Sequence, residues 1–280
     1  MFYLLIVSLI WAFSFGLIKD GLAGIPAAVV ALTRLSIALF IFLPFLRART
    51  LKVSASIKLM ITGAVQYGFM YVAYIHAFNY LQAYEIALFT VFTPLYVTLL
   101  NDAFKKQFCI RTLTAVLLAI TGGAIIEYRQ LSSPELWRGF AFMQVSNFCF
   151  AFGQIFYRRT MERLIVPHSD LQVFALLYCG AVFATVLTAA GIEWSTISIT
   201  PQQIRVLLYL GAIASGFGFF LWNIGARRVR AGTLAIFNNL KIPFGILVSI
   251  FFFGEAADWP RLLAGGALMG FALIINCRKN

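Results

Sequence analysis

The sequence predicts an all-helical, polytopic membrane protein whose ten transmembrane helices form two inverted five-helix repeats. Three observations lead to this prediction: the composition, the placement of basic residues and an internal repeat. Of the 280 residues, 61% are hydrophobic and only 11% are charged, whereas about a quarter of a soluble domain is charged. Because a bilayer-spanning helix needs about 20 mostly apolar residues, ten spans with short connections account for nearly all of these residues.

Apolar runs define the individual spans, which we place near 2–18, 25–46, 57–80, 83–101, 111–127, 137–157, 170–190, 203–224, 231–252 and 260–277. The first run has no basic segment in front of it, and a later span resembles it. We therefore interpret it as a retained helix and not as a signal peptide.

Connections that are rich in basic residues alternate with connections that are poor in them, as expected when Lys and Arg accumulate on the cytoplasmic side. Five lie in one set of connections: Lys19, Arg129, Arg138, Arg205 and Arg261. Fifteen lie in the other set: Arg47, Arg49, Lys52, Lys58, Lys105, Lys106, Arg111, Arg158, Arg159, Arg163, Arg227, Arg228, Arg230, Arg278 and Lys279. This asymmetry predicts that both termini are cytoplasmic, and it attributes the net charge of +12 to topology and not to a nucleic-acid partner.

An internal repeat relates the two halves of the chain. Residues 63–89 align without a gap on residues 211–237, and residues 13–16 parallel residues 150–153. The repeat unit therefore contains five spans. Since an odd number of crossings turns the second copy upside down, this is the inverted-repeat plan of secondary transporters. We divide the chain into repeats 1–130 and 131–280.

Two basic residues lie inside predicted spans, where a charge costs about 2.5 to 3.5 kcal/mol on insertion scales and usually marks a polar cavity. Lys241 shares a helical face with Asn238, and Pro243 frees a nearby backbone carbonyl. This pattern predicts an anion-binding site, with a structural carboxylate pair as the alternative. Arg34 pairs either with the substrate or with Glu85.

Aromatic and amide side chains near these cations complete the predicted cavity. Tyr67, Tyr71 and Tyr74 share one helical face, and their repeat counterparts include Phe219 and Trp222. Such faces sandwich an uncharged ring or simply pack together. The predicted substrate-binding residues are Lys241, Asn238, Asn239, Trp222, Asn223, Tyr71, Tyr74, Thr93, Trp11 and Arg34. Ser14, Gln144, Asn147 and Gln154 are further candidates to line the cavity, and Glu85 and His76 are candidates for proton coupling.

Several catalytic patterns are absent from the sequence. It contains no P-loop, no H-E-x-x-H, no G-x-S-x-G and no Cys or His cluster of metal-binding spacing. We therefore expect no enzyme activity, no cofactor and no metal site.

A resemblance to a known family is carried by the segments Ile10–Phe15, Phe42–Arg47, Leu88–Tyr96, Gln144–Asn147 and Ala231–Leu234, the last together with Asn238 and Asn239. With the repeat, they resemble the drug/metabolite transporter superfamily with paired EamA-type domains. Within it the chain looks like the bacterial carboxylate/amino acid/amine transporter branch, and most of all like its biotin carriers. The resemblance covers nearly the full length.

The resemblance implies uptake of biotin or a similar carboxylate across the bacterial inner membrane by alternating access, with the lipid bilayer as the only other partner and a monomer as the working unit. Lys241 would hold the carboxylate, Asn238, Asn239 and Asn223 the ureido end, and Tyr71, Tyr74 and Trp222 the ring. Export of amino acids or other metabolites remains an alternative, because the sequence does not indicate the direction of transport. A non-transporting receptor or scaffold is the alternative from another class.

Overall fold

The computed structural model describes residues 2–47, 49, 51–106, 114–115, 117–118, 120–122, 125, 133–164, 168–229, 231–254 and 258–277. Within these ranges the chain forms helices and turns, with no strand. The predicted all-helical class is confirmed for this part of the chain. The predicted fifth span lies mostly outside it, as do the side chains of Lys241 and Asn239.

The α-helices of the described residues follow the predicted spans in order. They are α1 (Phe2–Lys19), α2 (Ala27–Phe42), α3 (Val53–Gly63), α4 (Met70–Ala77), α5 (Ala83–Phe89), α6 (Thr93–Lys105), α7 (Pro134–Glu162), α8 (Asp170–Ala189), α9 (Pro201–Tyr209), α10 (Gly218–Arg228), α11 (Ala231–Phe253) and α12 (Trp259–Cys277). Five stretches among them are long and apolar enough to cross a membrane: Phe2–Lys19, Ala27–Phe45, Ala83–Phe104, Asp170–Ala189 and Pro201–Arg228.

Local sequence signals begin several of these helices. Gln82, Ser169 and Thr200 each form a capping box with the Glu or Gln three residues later, which satisfies backbone N–H groups that have no partner inside the helix. Proline occupies the first helical position of α7 and α9, where its missing N–H costs nothing.

Two of the spans contain π-helical turns at equivalent positions of the repeat. Ala64–Phe69 separates α3 from α4, and Leu210–Phe217 separates α9 from α10. A π-turn leaves backbone carbonyls without their usual partner. In the second turn, side chains from other helices supply that partner: the Trp11 indole donates to the carbonyl of Ala214 (2.9 Å), and the Tyr178 hydroxyl donates to the carbonyl of Ser215 (2.7 Å).

Close backbone contact joins the third and seventh spans. A Cβ atom on Gly63 would lie 1.7 Å from the carbonyl oxygen of Leu177, and one on Gly180 would lie 1.8 Å from that of Met60. Only glycine permits this approach, as small residues do at membrane helix interfaces. The central cavity is lined by residues of α1, α2, α4, α6, α7 and α10 and by Thr90 just before α6.

Candidate substrate site

A cavity lies between the helices of both halves of the chain. Its empty volume, counted to its open mouth, is about 550 Å³. Its lining comes from six spans and consists of Trp11, Ser14, Phe15, Ile18, Arg34, Met70, Tyr71, Tyr74, Thr90, Thr93, Met143, Ser146, Asn147, Phe150 and Phe219.

Arg34 is the cation of this cavity. It projects from α2 and is only 1% exposed. Its Nε donates to the Ser215 hydroxyl at 3.1 Å, and its Nη2 donates to the Tyr71 hydroxyl at 2.6 Å. Its Nη1 has no hydrogen-bond partner among the described residues. An unused donor on a buried charged group is costly, so Nη1 is the donor of this guanidinium that is still available to a ligand.

Tyr71 and Ser215 fix the position of the guanidinium. Their hydroxyl groups lie 3.0 Å apart, and the Ser215 hydroxyl also donates to the carbonyl of Leu210 across the π-turn (2.8 Å). The Arg34 Cζ atom lies 4.3 Å from the centre of the Tyr71 ring, within the range of a cation–π contact. The π-turn therefore contributes directly to the geometry of the site.

A second polar group lies on the opposite side of the cavity, where α7 meets the fourth span. Asn147 accepts a hydrogen bond from the Thr93 hydroxyl (3.0 Å) and donates to the carbonyl of Phe89 (2.8 Å). Thr90–Phe92 is a short 3₁₀ turn in which the backbone N–H of Thr93 donates to the carbonyl of Thr90. The carbonyl of Phe89 therefore lacks the donor that a regular α-helix would provide. In the side-chain amide of Asn147, Oδ1 can accept one further hydrogen bond and Nδ2 can donate one more.

Packed aromatic rings form part of the cavity wall. Trp11 lies 4.9 Å from Trp222, 5.4 Å from Phe219 and 5.8 Å from Phe150, measured between ring centres. We call these four rings the aromatic floor. Three of them, Trp11, Phe150 and Phe219, line the cavity, and Trp222 packs behind Trp11 without lining it.

Five of the predicted substrate-binding residues line the cavity together: Arg34, Tyr71, Tyr74, Thr93 and Trp11. Of the further candidates, Ser14 and Asn147 also line it, whereas Gln144 and Gln154 do not.

The remaining predicted residues lie elsewhere. Trp222 belongs to the floor. Asn223 is buried and donates to the Tyr67 hydroxyl (2.5 Å) while accepting from Gln66 (3.1 Å). Asn238 is 1% exposed and its Oδ1 has no partner among the described residues, but it does not line this cavity. Lys241 and Asn239 have side chains outside the described residues.

Neither candidate for proton coupling lines the cavity. The Glu85 carboxylate accepts from the backbone N–H of Gln82 at 2.6 Å in the capping box of α5. Among the described residues Arg34 makes no ion pair with a carboxylate. His76 lies with its ring centre 5.2 Å from that of Phe142. Their coupling role remains a prediction.

Several lining residues were not singled out from the sequence, among them Met143, Ser146 and Phe150 of α7. Together with Asn147 they follow the i, i+3, i+4, i+7 spacing of one helical face. That spacing, counted outward from the predicted Asn147, would have identified them.

The chain belongs to the EamA-like transporter family, whose model matches residues 1–128 and 137–277. Members are transporters, so the chain is a transporter and not an enzyme. With its long apolar helices, it is a multi-pass inner-membrane protein. The resemblance stated from the sequence motifs is thereby confirmed.

Individual relatives cover nearly the whole chain. It is 37% identical to the biotin transporter of Salmonella typhimurium strain LT2, over 99% of this chain and 92% of that protein. It is 36% identical to the probable biotin transporter of Pseudomonas aeruginosa strain PAO1, over 99% and 97%. The probable amino-acid metabolite efflux pump of Salmonella typhimurium is 24% identical, over 98% and 93%. A protein of known crystal structure shares the fold, with a TM-score of 0.69 at 16% identity over 98% of this chain and 95% of that one.

Proposed function

We propose that this transporter takes up biotin by alternating access and that the central cavity is its binding site. The observation that carries the proposal is the buried Arg34 guanidinium with a free Nη1 in a cavity that otherwise offers aromatic rings and neutral polar groups. Two relatives named as biotin transporter or probable biotin transporter, at 36 to 37% identity, support the choice of substrate.

The chemistry of biotin matches the two polar ends of the cavity. Its carboxylate suits Arg34, whose fork of donors favours planar anions. Its ureido group both donates and accepts hydrogen bonds, as the free positions of Asn147 do. The bicyclic ring then lies against Trp11, Tyr74 and Phe219. This assignment gives Arg34 the role that the sequence suggested for Lys241, and the role of Lys241 itself remains a prediction.

The same proposal includes the architecture of two inverted five-helix repeats, 1–130 and 131–280. Helix packing supports it, because contacts between two spans are matched by contacts between the repeat counterparts of those spans. The first span packs on the ninth as the sixth packs on the fourth, and the second packs on the eighth as the seventh packs on the third. The equivalent π-turns support the same relation.

With both termini in the cytoplasm, the cavity belongs to the periplasmic half of the protein and the aromatic floor lies on its cytoplasmic side. An ion pair between Arg227 and Asp170 (2.5 Å) ties α10 to α8 beyond the floor, and the Tyr157 hydroxyl donates to the same carboxylate. We infer that this conformation is closed toward the cytoplasm. An anion that enters against the membrane potential requires about 2.3 kcal/mol per 100 mV, which makes coupling to a proton useful.

Uptake of labelled biotin by cells that lack their own carrier tests the proposal. We expect saturable uptake with the full chain and, at limiting biotin, uptake at least about tenfold lower with Arg34→Gln. Absence of uptake by the wild-type protein, in membranes where it is present, would refute the proposal.

Export is the second candidate function, because one relative is named as a probable amino-acid metabolite efflux pump. Growth at limiting biotin favours uptake, whereas resistance to a toxic metabolite without such growth favours export. A receptor or scaffold would bind biotin in detergent but support no counterflow in proteoliposomes.

A further inference from the structure

A second cavity lies at the ends of the third, fourth and sixth spans and shares no residue with the first. Its empty volume, counted to its open mouth, is about 1150 Å³. Four cations line it: Lys52 and Lys58 at the start of α3, and Arg159 and Arg163 at the end of α7. His168 also faces it. These residues belong to connections that the charge asymmetry predicts to be cytoplasmic.

No carboxylate is among the described residues that line this basic cavity. The nearest acidic residue along α7, Glu162, accepts from Arg158 at 3.0 Å, outside the cavity. Like charges held together repel one another unless a counter-ion lies between them. The charge of the described lining therefore favours an anionic ligand.

Apart from the hydroxyl groups of Ser54 and Thr160, the remaining walls are apolar. Leu51, Phe156 and Leu164 line them, and Phe104 is 40% exposed beneath the Arg159 guanidinium, 4.3 Å from it. A cavity with cations at the ends of membrane helices and apolar side chains next to them matches a phospholipid, which joins a phosphate to acyl chains. A free inorganic anion would not use the apolar walls.

We propose that this basic cavity binds the phosphate of an anionic phospholipid, with Lys52, Lys58, Arg159 and Arg163 around the head group. The cavity joins α3 of the first half to α7 of the second, so a bound lipid ties the two halves at this end. The proposal does not depend on the identity of the transported solute.

Native mass spectrometry of the full chain in detergent, titrated with phosphatidylglycerol or phosphatidylcholine, measures the site directly. Each basic residue near an anionic lipid surface contributes about 1 kcal/mol, so removing two should weaken phosphatidylglycerol binding about 30-fold. The test variant is Arg159→Gln with Arg163→Gln. The control variant is Arg158→Gln with Arg228→Gln, which removes two charges from outside the cavity.

We expect the test variant to lose phosphatidylglycerol preference and the control to keep it within about threefold. If Arg159→Gln with Arg163→Gln fails to fold, Lys52→Gln with Lys58→Gln, at exposed positions, should give the same loss. Equal binding by the cavity and control variants would overturn the proposal, as would equal binding of phosphatidylcholine. Displacement of the lipid by millimolar inorganic phosphate would also overturn it and assign a free-anion site.

Discussion

Replacing Arg34 by Gln removes the positive charge of the central cavity and leaves a polar side chain in its place. In the wild-type protein, Nε and Nη2 are used by Ser215 and Tyr71, which leaves Nη1 for a carboxylate. Hydrogen bonds that involve a charged group contribute about 1.5 to 3 kcal/mol. Since about 1.4 kcal/mol corresponds to a factor of ten, the Kd for biotin should rise about 10- to 150-fold.

The comparison of biotin with its uncharged amide isolates the carboxylate contact. In proteoliposome counterflow and in calorimetric binding, Arg34→Gln should weaken the binding of biotin by the full factor. It should weaken the binding of the amide by less than about threefold. Arg158→Gln, which removes a charge from an exposed pair, serves as the control. An equal loss for both ligands would assign Arg34 to packing alone, and an unchanged Kd for biotin would remove it from the site.

Three further variants test other parts of the structure. Gly63→Ala should abolish folded protein in detergent, measured by size-exclusion chromatography, because its Cβ would overlap a backbone carbonyl. Gly266→Ala is the control: a Cβ there has no described atom within 4 Å, so the variant should be neutral or gain about 1 kcal/mol in helix propensity. Equal behaviour of the Gly63 and Gly266 variants would contradict the close packing at Gly63. Asn147→Ala leaves two buried groups unpaired and should lower biotin uptake at least tenfold, with wild-type uptake excluding it from the site. Lys241→Ala with Asn238→Ala should lower uptake if the sequence-based assignment holds, and wild-type rates would remove both residues from the mechanism.

Hydropathy was sufficient to locate the helices, because a helix in lipid needs a continuous apolar run whatever its neighbours are. The predicted spans 2–18 and 170–190 differ from α1 and α8 by one residue. The π-turns could not be predicted in this way. They depend on Trp11 and Tyr178, which are far away in sequence and satisfy the carbonyls that the wider turn releases.

A site residue could be predicted from the sequence where its charge is costly inside an apolar span. It could not be predicted where its role depends on which residues of other helices it contacts. Arg34 is such a residue, since a charge ten positions into a span requires a polar environment. Asn223 is polar as well, but its amide is engaged by Tyr67 and Gln66. Helical spacing alone does not distinguish an amide that faces a cavity from one that faces a neighbouring helix.

The two π-turns suggest how the halves could exchange roles during transport. In one half, Ser215 of the π-turn contacts Arg34 at the cavity. At the equivalent position of the other half, Tyr67 contacts Asn223 beyond the floor. If the repeats are inverted, rocking them about the cavity would open the Tyr67 side as the Ser215 side closes. Because π-turns inside α-helices occur frequently at functional sites, these turns are suitable positions for that movement.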